Sequence, residues 1–220
     1  MSKIKAAIKW FFSSFIWLGI ILLAIDIITK NVVVHFSDYI QNEPIVLIPG
    51  FLRINYVINP NIAFGMSLGS VIANKIVFSI IALGVSTGII IYLIKKWGKI
   101  NKFFRVCFIL IITGAIGNVI DRLFYSPEYL NYIVNGEYVA GVVDWIDFYG
   151  IWKFNFNIAD SSVVVAALML LVYMIIDTIK EAIANRKKEK EEDNTKVKSR
   201  TELEKEELLK EDNNEENREN

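Results

Sequence analysis

Reactive side chains are scarce in this chain of 220 residues, which has one cysteine, Cys107, and one histidine, His35. A single cysteine closes no internal disulfide. A thiol nucleophile would want a nearby base, and His35 is far away in sequence. Cys107 lies in an apolar run and reads as a small core hydrophobe, and His35 as a loop residue. With no second cysteine and no second histidine, a zinc-protease ligand set is effectively excluded.

Negative charge is equally thin over most of the chain. Lys+Arg and Asp+Glu number 24 each and balance to zero, but from Glu181 onward the sequence is dense in Lys, Glu, Asp and Asn. Before it stand only Asp26, Asp38, Glu43, Asp121, Glu128, Glu137, Asp144, Asp147, Asp160 and Asp177. In so apolar a body each of these carboxylates requires an explanation, and a hydrophobic content of 54% points away from a soluble domain.

What is present in abundance is long apolar sequence. Four stretches approach the roughly 20 helical residues that a bilayer core demands: about Trp10–Ile28, Ile76–Ile94, Phe103–Ile120 and Ile158–Ile179. The first follows Lys3, Lys5 and Lys9 but lacks a small-residue cleavage site and precedes three more spans, so it reads as an uncleaved anchor. No cysteine follows it at a lipobox position. Basic residues cluster before span one, between spans two and three (Lys95, Lys96, Lys99, Lys102, Arg105) and after span four (Arg186, Lys187, Lys188, Lys190). By the positive-inside rule both termini are cytoplasmic and the loops at about 30–75 and 121–157 face outward.

The expected fold is therefore an all-α membrane protein with a small β element. Residues 1–180 form a four-span domain and 181–220 a charged cytoplasmic tail. Ile45–Asn59 is β-branched, partly alternating and broken by Pro49-Gly50, which predicts short strands about a turn in the loop after the first span. The second loop, with Gly136, Gly141 and Gly150 among aromatic and β-branched residues, is similar material. The tail from about Glu189 offers no apolar stripe and reads as a solvated helix or disorder.

Ionisable groups at membrane depth are costly and mark function by default. Three clusters qualify, all near the outward ends of spans. Asp26 and Lys30 share a helix face; a helix-end ion pair at the interface is the plainer reading. In the stretch Thr113–Arg122 small residues permit close helix approach, and Asn118, Asp121 and Arg122 share a face. Arg122 either anchors a substrate group or braces Asp121. The third cluster joins Asp144 to Asn157 and Asp160. An Asn N-cap with an acid three residues on is an ordinary helix start, yet Asp144 lies on a short loop that can fold back toward Asp160. Two carboxylates together in low dielectric cannot both ionise comfortably, so one keeps its proton while the other acts as base. Ser161 and Ser162 have no lysine or histidine within plausible reach for serine chemistry.

Five motifs in order resemble the signal peptidase II family: D-x-x-T-K at Asp26–Lys30, N-x-x-x-A-F at Asn59–Phe64, G-A-I-G-N-x-x-D-R at Gly114–Arg122, V-V-D at Val142–Asp144 and F-N-I-A-D-S at Phe156–Ser161. The resemblance spans about residues 10–180. It implies an aspartic endopeptidase in the cell membrane with Asp144 and Asp160 as the catalytic pair. It makes Asp121 supportive, together with Asp26 and Lys30. Asn59, Asn118, Arg122 and Asn157 become residues around the substrate peptide. It further implies prolipoproteins as substrates, cut just before a diacylglyceryl-modified cysteine, with no metal or organic cofactor and no nucleic acid. Membrane lipid is the other expected partner, and the chain is expected to act as a monomer. Ile27 departs from the family's usual Gln, Asn59-Pro60-Asn61-Ile62 from Asn-Thr-Gly-Ala, and Lys153-Phe154-Asn155 from the Pro-Ala that often precedes the final Phe-Asn. Two rival readings are a small four-span transporter and a scaffold whose charged tail recruits partners.

Overall fold

The computed structural model describes residues 3–60, 70–134 and 136–216. Among them, four helices are long and apolar enough to cross a membrane: Ile16–His35, Ile72–Lys96, Lys102–Phe124 and Ile158–Glu191. At about 1.5 Å of rise per residue, each reaches the roughly 30 Å hydrocarbon thickness. The chain divides into two compact units, Met1–Leu170 and Leu171–Asn220.

The first span differs from its expected bounds of Trp10–Ile28. Helix α1 (Lys3–Ser14) ends before α2 (Ile16–His35) begins, and Phe15 between them is left-handed at φ 60°. The cause is local. The Ser14 hydroxyl donates to the Phe11 carbonyl at 2.6 Å and accepts from the Ile16 amide at 3.2 Å, so a side chain competes for backbone groups that a continuous helix would pair. Trp10 and Phe12 therefore belong to α1, and the span instead runs on to His35.

A short α3 (Ser37–Asn42) leads into β1 (Ile45–Ile48) and β2 (Leu52–Asn59), joined through a turn in which Gly50 takes φ 73°. Helices α4 (Val71–Lys96) and α5 (Lys102–Phe124) follow. Their connection is closed by Arg105, whose guanidinium donates to the carbonyls of Trp97 at 2.7 Å and Ile100 at 3.1 Å. Beyond α5 come α6 (Pro127–Leu130), a two-stranded ribbon of β3 (Ile133–Val134) and β4 (Glu137–Tyr138), then β5 (Val142–Asp147), β6 (Asn155–Phe156) and α7 (Ile158–Glu216).

Strand material from both long loops combines into one antiparallel sheet in the order β1-β2-β5-β6. Val57 pairs with Asp144 and Asn59 with Val142, so the first loop's last strand backs the motif of the second. One face of this sheet closes a core of Val33, Val34, Ile40, Tyr56, Leu130 and Val143. The Tyr56 hydroxyl is anchored on the Leu130 carbonyl. This core ties β2 and β5 to the end of α2 and fixes where the carboxylates of β5 stand.

Candidate active site

A buried lysine organises the polar end of the helices. Lys30 of α2 is fully buried, and its ammonium has three acceptors for its three hydrogens: Asp26 Oδ2 at 2.7 Å, Asp121 Oδ2 at 3.0 Å and Asn118 Oδ1 at 3.3 Å. The Asp26–Lys30 pair is thus an interior cluster rather than an exposed helix-end ion pair. Its carboxylates reach further. Asp26 Oδ1 accepts from the Ala159 amide at 2.9 Å, and Asp121 Oδ2 from the Val143 amide at 3.0 Å. Each therefore holds the backbone one residue ahead of Asp160 or Asp144.

Glycines make the approach possible. A Cβ on Gly117 would stand 2.8 Å from both Asp26 Oδ2 and Ala159 Cβ, and one on Gly114 would collide with the Ala159 carbonyl. The small-residue stretch of α5 lets the first turn of α7 and the Asp26 carboxylate close on it, as such stretches do between membrane helices.

Asp144 lies on β5, almost wholly buried. Asn59 donates to its Oδ2 at 3.0 Å and Asn157 to its Oδ1 at 2.9 Å. Asp160 opens α7 in a complete capping box: its amide donates to Asn157 Oδ1 at 2.7 Å, while its own Oδ2 accepts from the Asn157 amide at 3.3 Å. The ordinary helix-start reading of Asn157 and Asp160 is correct, and it leaves Asp160 Oδ1 to accept from Asn118 at 2.7 Å. Asn118 Oδ1 also accepts from Asn157 at 3.1 Å. The amides of Asn118 and Asn157 thereby join the lysine cluster to both aspartates.

Burial first, and the neighbouring charge of Asp160 second, push the Asp144 carboxyl well above the usual carboxylate range; the Asn59 and Asn157 amides and the charge of Lys30 oppose this. Asp144 and Asp160 both line a cavity of about 510 Å³ whose other walls are largely apolar, among them Phe78, Ile81, Ala115 and Val163. Arg122 lines it too and donates to the Asn118 carbonyl at 3.2 Å, while Asp121 faces Lys30 and Val143 rather than forming a brace with Arg122.

Every site residue expected from the sequence lies in this region: Asp26, Lys30, Asn59, Asn118, Asp121, Arg122, Asp144, Asn157 and Asp160. Residues 61–64 of the Asn59–Phe64 motif fall outside the described residues. The sequence reading missed Trp152, Phe154 and Asn155, which line the same cavity, and the Arg53–Asp147 pair at 2.6 Å. The departure at Lys153-Phe154-Asn155 was the available signal for the former; Arg53 and Asp147 are 94 residues apart and carry no joint sequence pattern.

Fold and site together define a polytopic membrane enzyme with two carboxylates, Asp144 and Asp160, opening on one cavity. The chain matches the signal peptidase (SPase) II family over residues 18–176. It is 35% identical over 169 residues to the lipoprotein signal peptidase of Fusobacterium nucleatum, covering 77% of this chain and 90% of that protein. It is likewise 35% identical over 167 residues to the lipoprotein signal peptidase of Desulfitobacterium hafniense, covering 76% and 96%. A bacterial membrane enzyme solved in meso at 2.3 Å superposes with a TM-score of 0.57 at 28% identity, over 74% of this chain and 88% of that one. The chain belongs to the signal peptidase II family and is a peptidase of the aspartic type.

Proposed function

We propose that this protein removes the signal peptide from diacylglyceryl-modified prolipoproteins by cutting just before the lipidated cysteine, and that Asp144 and Asp160 perform the hydrolysis. The observation that carries this reading is the pair itself: two carboxylates from facing elements, held by neutral amides, opening on one apolar-walled cavity. Asp144, whose proton is favoured by burial, is the acid. Asp160, which takes hydrogen bonds from Asn118 and the Asn157 backbone, is the base that accepts a proton from the attacking water. Water oxygen bonds to the scissile carbonyl carbon, Asp144 gives its proton to the leaving nitrogen, and the products are a new carboxylate and the free amine of the cysteine. No covalent intermediate and no cofactor enter.

Asp26, Lys30 and Asp121 act one layer back, as the brace that fixes the residues preceding each aspartate. Asn59, Asn118, Asn157 and Arg122 contact the peptide or the aspartates. In the membrane both termini face the cytoplasm and the aspartates the outer side, on the strength of the basic clusters around Lys9, Lys95 and Lys187. Residues 1–180 are the working domain of a monomer, and 181–220 are an appendage.

The test is cleavage of a purified lipidated prolipoprotein in detergent by the parent enzyme, with Asp144→Asn and Asp160→Asn side by side. A parent that leaves the lipidated substrate intact overturns the function, and near-normal turnover by either variant removes that residue from the mechanism. Reporter fusions at Asn101 and the C-terminus are expected to read cytoplasmic and one near Asp38 external; a cytoplasmic reading at Asp38 overturns the orientation.

A further inference from the structure

A second cavity, of about 600 Å³, adjoins the first on the sheet side. Asn59, Asp144, Trp152, Phe154 and Asn155 line both, so Asp144 stands at the junction of two spaces of opposite character. The helix-lined space is walled by Phe78, Ile81, Ala82 and Val163. The sheet-lined space carries Arg53, Asn55, Asp147, Tyr149 and Lys153.

The polar space holds donors that no described residue satisfies, one of them buried. Asp147 is buried and already engaged, accepting from Arg53 Nε at 2.6 Å and Asn55 Nδ2 at 3.3 Å. Arg53 lies over the Tyr149 ring at 4.8 Å, and its two terminal nitrogens have no hydrogen-bond partner among the described residues. Lys153 has only the Phe154 ring, 4.9 Å away, and no carboxylate partner among the described residues. Asn155 Nδ2 is buried at the seam between the cavities without an acceptor. A buried donor left unpaired is costly, which makes it a marker for an acceptor that arrives from outside. Arg53 is paired with Asp147, so Lys153 is the cation of this cavity without a carboxylate in contact among the described residues.

From this geometry we infer that the sheet-lined cavity is a specificity subsite for the first residues after the cleaved cysteine, and that it selects an acidic side chain there. The inference rests on the peptidase reading above and adds to it a substrate preference. A peptide cut at Asp144 has an apolar signal segment before the bond and polar mature sequence after it. Polarity assigns the first to the helix-lined space and the second to the sheet-lined space. Asn155 Nδ2 then donates to a carbonyl of the passing backbone, and Lys153 with the free end of Arg53 meets the carboxylate.

Three lipidated substrates, identical except for Asp, Asn or Lys immediately after the cysteine, test it. The parent enzyme is expected to show kcat/KM falling in the order Asp, Asn, Lys, by about fivefold per step, the scale of a solvent-accessible ion pair. Lys153→Glu, an exposed change outside the catalytic machinery, is expected to reverse the order of Asp and Lys, while Lys153→Arg keeps it. Asn155→Ala is expected to raise KM for all three alike without changing their ranking. Equal kcat/KM for the three substrates, or a ranking that Lys153→Glu leaves untouched, overturns the subsite while leaving the peptidase reading standing. Failure of the parent to cut any of them overturns both.

Discussion

Two pairs of aspartates share the polar end of this protein, and they are built on opposite principles. Asp26 and Asp121 have a buried ammonium between them, at 2.7 and 3.0 Å. Asp144 and Asp160 have amides around them: Asn59 and Asn157 on one, Asn118 and the Asn157 backbone on the other. An ammonium in contact ties a carboxylate down with an opposite charge, whereas neutral amides orient one without supplying charge. An ion-paired carboxylate suits a brace, and the first pair holds the Ala159 and Val143 amides. Adjustable protonation suits a general acid and base. The four residue types are identical, and the proposed division of labour follows their immediate partners.

The sharpest way to break this comparison is to exchange carboxylate for amide in each pair. Asp144→Asn and Asp160→Asn are expected to lower turnover of a lipidated substrate by about a thousandfold or more, since neither partner alone both activates water and protonates the leaving nitrogen. Both proteins are expected to insert and melt close to the parent. Cys107, the single cysteine and fully buried, reports the melt through a thiol-reactive dye. A variant that melts early and still turns over would assign the two pairs the reverse roles.

Removing the cation is the converse experiment. Lys30→Met leaves Asp26 and Asp121 facing each other in the interior without their shared partner, and breaking a buried ion pair from one side costs about 3–5 kcal/mol. The expected outcome is a large fall in melting temperature, with activity lost alongside stability. A Lys30→Met protein that melts like the parent would remove the brace from the account.

A smaller effect separates the pairs by pH. Asp144 is raised above 3.8, principally by burial and then by the charge of Asp160. Its folded form holds a proton that the unfolded chain releases. The sign follows: stability from this group is complete below its unfolded pKa near 3.8 and is lost as pH rises through the folded value. The parent is expected to lose melting temperature more steeply above that pH than Asp144→Asn, which has no proton to lose there. Its kcat/KM is expected to fall as Asp144 gives up the proton the leaving group needs. Parallel melting profiles for the two proteins would mean that Asp144 ionises in the ordinary range.

How much of this was legible in the sequence depends on the reach of each interaction. Long apolar runs and basic flanks are local, so the four spans could be read directly; the break at Phe15 could not, because it turns on which backbone groups the Ser14 hydroxyl captures. The Asn157–Asp160 capping box is a four-residue pattern and was visible, as was the i, i+4 pairing of Asp26 with Lys30. What local pattern hid was Lys30 crossing to Asp121 on α5, and β2 pairing with β5 so that Asn59 reaches Asp144 across 85 residues. Motif resemblance brought those residues into one site, but carried no information on the sheet-lined cavity, whose Lys153 and Asn155 stand where this chain departs from the family pattern.

The smallest expected effect lies at the far end of the chain. Residues 181–220 are dense in both signs of charge and contain none of the side chains that form the site, whose residues run from Asp26 to Asp160. Truncation after Lys190 keeps Arg186, Lys187 and Lys188. Basic residues just past a span hold its orientation and attract anionic headgroups, so they are retained in the truncated protein. Cleavage of a lipidated substrate in liposomes, normalised to inserted protein, is expected to stay within about twofold of the parent, the ±0.5 kcal/mol typical of surface changes remote from a site. Extending the truncation to remove Arg186–Lys188 is expected to lower the inserted fraction while leaving turnover per inserted molecule unchanged. Loss of turnover in the Lys190 truncation, at parental insertion, would make the tail a working part of the peptidase and overturn the reading of it as an appendage.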